Sequence, residues 1–234
     1  MAAFDTTLDR LNWGDICTQL DADGFAVLSG LLDTDAARGL AQRAFATDAS
    51  RVTLESNALG RGELLYFGAG LPAPLQQWRT ALYRRLVIVA NRWNETLGAA
   101  HRFPAQWEAF LRCNRMAGQT PAQSHLSRLG VEDHVPLHQC QGGEQVFPMQ
   151  IVAVLSEPGV DFQGGEFVMT EQRPRMQSRP AVLPLRLGDM AVIATAQRPF
   201  RGTKGYYRVN QRHAISRVHK GARIGLELSF HDAP

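Results

Sequence analysis

The chain has 234 residues, 44% hydrophobic and 20% charged, with a formal net charge of +3, enough to bury a sizeable core without staples. Its three cysteines, Cys17, Cys113 and Cys140, are an odd number at irregular spacing, which argues against a secreted disulfide framework and for a reducing compartment. The start, MAAFDTTLDRLNW, has charges and no apolar h-region, and the longest tempting apolar run, LVIVA, is far too short for a bilayer; the expectation is a soluble, cytoplasmic protein with no membrane partner.

In chain order, Leu8, Leu11, Trp13, Ile16 and Leu20 recur near helical spacing. They predict a helix over 7–20, opened by an Asp5 or Thr6 cap and stopped at Gly24. Residues 25–32 read as an apolar strand, and DTDAARGLAQRAFA as a second helix opened by Asp33 or Thr34. Between 51 and 70 short strands alternate with Gly60, Gly62, Gly68 and Gly70; ELLYF is the clearest, and this part is expected to cover the mouth of a barrel. The longest helical stretch is 74–98, where Leu75, Trp78, Leu82, Leu86, Ala90 and Trp93 form an apolar stripe. Pro104, at a first-turn position, is expected to open another helix through Met116. Trp78, Trp93 and Trp107 sit at helical spacing and are assigned to the core rather than to ligand stacking.

After Pro121 the pattern changes to short β-prone runs: SHLSRL, HVPLHQ, VFPMQIVAVL, GEFVMTE, AVLPLRLGD, MAVIATA, YYRVNQRHAISRV and IGLELSFH. Their regular spacing indicates a jelly roll. The expected fold is therefore α+β: a double-stranded β-helix, jelly-roll or cupin-like, with N-terminal helices packed against its barrel. Residues 1–120 form the wrapping region and 121–234 the β-helix core, the two sharing one structural domain. Pro158-Gly159, Gly164-Gly165 and Gly188-Asp189 read as turns between barrel strands.

Charge is distributed unevenly. From Arg173 to Arg223 there are 12 Lys and Arg against one acid, Asp189. Such a field concentrates anions, whether phosphates, carboxylates or a nucleic-acid backbone; its bland alternative is a solvated strand face with local ion pairs.

Three sparse signals lie between 138 and 223. His138 and Cys140 stand two apart in VPLHQCQGG, and on a strand such residues share a face and can grip one metal ion together. His213, 75 positions later, can supply a second imidazole from a distant strand. Arg223 opens the apolar run IGLELSF, where a fixed guanidinium can receive a carboxylate bidentately. His101, His125, His134, His219 and His231 are weaker cases, with His231 assigned a structural part and His134 the pocket rim.

These residues, with DADGFAVLSGLL, ANRWNE, RFPA, AGQT, LSEPGVDFQGGEFVMTEQRPRMQSR, RGTKGYYRVNQRH and SFHDA, resemble the Fe(II)/2-oxoglutarate dioxygenases and, more narrowly, the bacterial Oxygenase-NA family. The resemblance implies Fe(II) held by two histidines and a carboxylate, with open positions for 2-oxoglutarate and O₂, His138 and His213 as metal ligands, and Arg223 as the oxoacid anchor. Three positions depart from it. The family's HxD motif reads HxC at Cys140; its RYG motif reads Arg128-Leu129-Gly130; and Gly225 stands where a hydroxyl usually assists the distal carboxylate. Cys140 then ligates as a thiolate, or stands off and leaves a place for water or halide, or the metal is gone. The leading expectation is an iron oxygenase that hydroxylates or oxidatively demethylates a small molecule or a nucleic acid. The alternatives are a thiolate-ligated metalloenzyme using O₂ without 2-oxoglutarate on a small carboxylated metabolite, and an inactive nucleic-acid-binding relative.

Overall fold

Two antiparallel sheets and the helices on one of them make up the structure, a computed structural model describing residues 7–46, 50–57, 60–67 and 70–234. The larger sheet has seven strands in the order β1 (Phe25–Leu28), β10 (Met190–Ala194), β6 (Met149–Val154), β14 (Arg223–Ser229), β4 (His125–Leu129), β3 (Glu63–Tyr66) and β2 (Ser50–Thr53). The smaller runs β11 (Gln197–Gly202), β12 (Gly205–Ile215), β8 (Phe167–Gln172), β9 (Arg179–Leu183), with β5 (Val135–His138) also pairing β12. β7 (Phe162–Gly164) and β13 (Val218–Gly221) form a separate pair. Among the described residues no strand belongs to both main sheets, so the expected jelly roll is present as two open sheets rather than a closed barrel.

Alternation on the large sheet shows how it is used. Met149, Ile151, Met190, Val192, Leu226 and Leu228 face the helices, whereas Val152, Val154, Ala191 and Ile193 face the small sheet and meet Phe167, Met169, Leu183 and Ile215. A strand buried on both faces reads as a continuous apolar run, which is why VFPMQIVAVL and MAVIATA look alike in the sequence.

The helices are α1 (Trp13–Asp23), α2 (Thr34–Ala46), α3 (Ala73–Thr96) and α4 (Trp107–Met116). The helix expected over 7–20 is interrupted: residues 7–9 are helical, a turn follows, and α1 restarts at Trp13, where the Asn12 side chain accepts from the Asp15 N–H and caps it; the Asp5 or Thr6 cap lies outside the described residues, as does Gly68. Gly24 ends α1 with φ 78°, a left-handed conformation that favours glycine. Its last carbonyls, Asp21 and Ala22, accept from the fully buried Arg198 guanidinium, which also pairs with Glu171. α2 is opened by Asp33, whose carboxylate accepts from the Ala36 N–H. β1 is shorter than expected, ending at Leu28.

Tyr83, Phe110, Phe147 and Phe230 pack α3 and α4 onto the large sheet, all fully buried. Trp93 and Trp107 are buried with them and Trp78 packs at the margin. Pro104 does not open α4, which begins at Trp107 after Gln106; the Pro104 carbonyl instead accepts from the Tyr83 hydroxyl.

Candidate metal centre

His138 and His213 are direct cross-strand partners on β5 and β12. Opposite residues of an antiparallel pair present side chains on one face, and here the ring centroids are 4.1 Å apart. Cys140 lies beyond the end of β5, so it does not share a strand with His138 as the HxC spacing suggested. Its N–H donates to the Thr195 carbonyl, and its Sγ comes within 4.0 Å of His213 Nε2.

A fourth donor, unforeseen in the sequence, completes the group. Glu227 projects inward from β14, and one ligand atom each from His138, Cys140, His213 and Glu227 all lie within 4.8 Å of one another. Its Oε2 is 3.9 Å from His213 Nε2 and 3.9 Å from His125 Nε2, and it accepts from the Gln150 amide at 3.2 Å. His125, set among the weaker histidines, thus stands beside the cluster. His134 bridges Arg61 at a separate shallow pocket. His231 is buried, and its Nδ1 accepts from the Phe147 N–H.

The two imidazoles differ in their surroundings. His138 Nδ1 lies 3.0 Å from the Pro136 carbonyl. A carbonyl only accepts, so Nδ1 carries a proton and, in the neutral ring, Nε2 is the nitrogen with the lone pair. His213 is sealed against Phe167, ring planes 10° apart, and its Nδ1 is buried with no hydrogen-bond partner. Burial, with His138 nearby, pushes its pKa down to about 4 against the pull of Glu227, which keeps it neutral. Burial and the Glu227 charge push the Cys140 thiol well above its ordinary range. Burial alone would raise the Glu227 carboxyl, but His125, His213, His138 and Arg223 together hold it below its usual value.

The cluster sits in a cavity of about 610 Å³ walled by Leu54, Leu64, Tyr66, Phe67, Val135 and Pro136, with no Lys or Arg among its described lining residues. The ELLYF strand thus forms one wall of the chamber. Arg223 faces a second cavity of about 390 Å³, bordered by the Gly164-Gly165 corner, Phe167, Leu183 and Leu185. It is 2% exposed, and its Nε and Nη1 have no partner among the described residues. Burial lowers its pKa to about 10 against the pull of Glu227. Leu129, in the RLG position, lies directly opposite it on β4. At Gly225 a Cβ would fall 2.6 Å from Arg223 Nη1 and 2.9 Å from Ser127 Oγ, so glycine is needed for the guanidinium to lie along β14, and a hydroxyl from β4 stands close by.

The basic segment lies elsewhere. Arg208 and Arg212 occupy exposed alternate positions of β12, with Arg201 and Lys204 exposed at the turn it forms with β11. This face points away from the interior.

The architecture is that of the 2-oxoglutarate/Fe(II) oxygenases. An oxidoreductase of that family from Burkholderia pseudomallei superposes with a TM-score of 0.57 at 15% identity, covering 96% of this chain and 93% of that one. A prolyl-4-hydroxylase of Pseudomonas putida does so with 0.55 at 13% identity, covering 95% and 100%. The chain belongs to the Oxygenase-NA family, whose model, described as "Oxygenase, catalysing oxidative methylation of damaged DNA", matches residues 62–233. An uncharacterized protein of Mycobacterium tuberculosis, found in two strains, is 36% identical over 176 residues, 75% of this chain and 76% of its own length. Fold and family together make the chain an oxygenase. No described helix is long and apolar enough to cross a membrane.

Proposed function

We propose that the protein is a non-haem iron oxygenase of the 2-oxoglutarate-dependent type, in which His138, His213 and Cys140 hold Fe(II) and Arg223 receives a carboxylate of the oxoacid. The observation carrying this reading is the cross-strand imidazole pair at the cavity wall, with a sulfur 4.0 Å from one of its nitrogens. The donor set fits a divalent transition metal, since neutral imidazoles and the thiolate that Cys140 becomes when a metal displaces its proton are borderline-to-soft ligands. When bound, the iron supplies activation of O₂ at the expense of the oxoacid.

The chain's own residues do the rest. Pro136 fixes the His138 tautomer, and Phe167 holds the His213 ring and excludes water from it. Arg223 is a buried cation whose Nε and Nη1 have no hydrogen-bond partner among the described residues, a costly state that a bound carboxylate relieves. The Ser127 hydroxyl stands where Gly225 offers none. The apolar chamber accepts an uncharged group, either a small molecule or a base presented by a nucleic acid. Exposed Arg201, Lys204, Arg208 and Arg212 favour the nucleic acid as a second reading; that reading requires DNA or RNA affinity that falls steeply with salt.

An anaerobic titration with Fe(II) and 2-oxoglutarate, followed by O₂-uptake measurements, tests the main reading. One equivalent of each should bind and uptake should require the oxoacid; absence of both refutes it. Cys140→Asp separates the O₂-only rival, on which the native reaction is lost and no oxoacid turnover appears.

A further inference from the structure

We propose that Glu227 supplies the metal-binding carboxylate that position 140 lacks, so that the ion is held between the two sheets by His138 and His213 on one side and Glu227 on the other, with Cys140 as an additional donor. This rests on the metal reading above and deepens it.

Placement comes first. Arg223, Gly225 and Glu227 occupy alternate positions of β14, and so share the inward face of the large sheet. β14 is flanked on both sides, by β4 and β6, with Glu227 opposite His125 and Val152. The carboxylate is thus fixed on a rigid central strand, whereas Cys140 hangs beyond the end of β5. Across the interior, His138 and His213 are fixed by their own strand pairing. A carboxylate approaching from the opposite sheet reaches the same ion as one placed beside the first histidine.

Energetics point the same way. Glu227 is 8% exposed, its Oε2 accepts from one amide, and the nearest imidazole nitrogens, those of His125 and His213, are each 3.9 Å away, beyond hydrogen-bond reach. The surrounding histidines and Arg223 favour the ionised carboxylate, and with one hydrogen bond at 3.2 Å its Oε2 keeps a lone pair to offer a cation. The Gln150 amide nitrogen, 3.3 Å from His213 Nε2 and 3.2 Å from Glu227 Oε2, draws these two atoms to one point and must turn aside for an ion to take its place. The competing role is structural, with Glu227 serving only to anchor Gln150.

Anaerobic Co(II) binding to the full chain separates the roles. Wild type should take up one equivalent. Glu227→Gln should weaken binding at least about tenfold, retain the near-ultraviolet sulfur-to-cobalt absorption, and melt without metal no lower than wild type. Cys140→Ala should lose that absorption and keep the ion. The double variant E227Q/C140D, which returns a carboxylate to the other sheet, should recover most of the affinity. Wild-type affinity in Glu227→Gln overturns the assignment, as does a double variant no tighter than E227Q. A metal-free melting temperature that falls in E227Q while affinity holds assigns the structural role instead. If E227Q does not fold, Glu227→Asp replaces it, and a cobalt spectrum identical to wild type overturns the proposal. Wild type that binds neither Co(II) nor Fe(II) removes the metal reading itself, an outcome distinct from failure of Glu227 alone.

Discussion

The two faces of β14 divide the labour of the molecule. Leu226, Leu228 and the following Phe230 enter the helix-packed core, while Arg223, Gly225 and Glu227 enter the space between the sheets. One face gains free energy from apolar burial; the other spends some of it, keeping a cation, an anion and, across from them, the unpartnered Nδ1 of His213 out of water. The fold thus carries its site as a load borne by the opposite side of the same strand.

Substitutions should separate these faces. Phe230→Ala, in the aromatic cluster, should destabilise by about 3–5 kcal/mol, measured by denaturant unfolding, and leave Co(II) affinity of the folded fraction unchanged; a large affinity loss would show that the faces are coupled. His231 gives a pH-dependent counterpart. Burial pushes its pKa to about 4, against 6.5 in an open chain. The unfolded chain therefore binds the extra proton first as pH falls. The stability is complete above pH 6.5 and is lost toward pH 4, by about 3 kcal/mol. His231→Gln keeps an acceptor for the Phe147 N–H and should flatten that part of the curve; an equally steep curve would contradict the assignment.

On the inner face the sign reverses. Arg223→Met removes a buried charge whose Nε and Nη1 have no hydrogen-bond partner among the described residues, and should raise metal-free stability by roughly 1–3 kcal/mol. The same variant should lose the stabilisation given by 2-oxoglutarate, about 2.7 kcal/mol for wild type at a hundredfold excess over Kd. A variant less stable than wild type, yet still stabilised by the oxoacid, would make Arg223 structural.

The sequence was most readable where pattern and structure share a period. The β runs after Pro121 and the α3 stripe follow from repeating burial, and the stop at Gly24 follows from its left-handed φ. The pairing of His138 with His213 was legible only through motif order, because no local signal sets the register of strands 75 residues apart. Glu227 is hard to find because IGLELSF reads as a plain apolar run; the usable signal is a lone acid between leucines, in phase with Arg223 at strand spacing. Arg198 looked like one more charge in the basic segment, yet it is fully buried at the end of α1. Its role depends on a helix terminus about 175 residues earlier in the chain, which no window could reveal.

Equilibrium binding of Fe(II) under anaerobic conditions, compared between the wild type and His213→Ala, tests the central claim most directly. The account predicts one tightly held equivalent in the wild type and its loss in the variant, with the fold intact by circular dichroism. Equal binding by both proteins would contradict it.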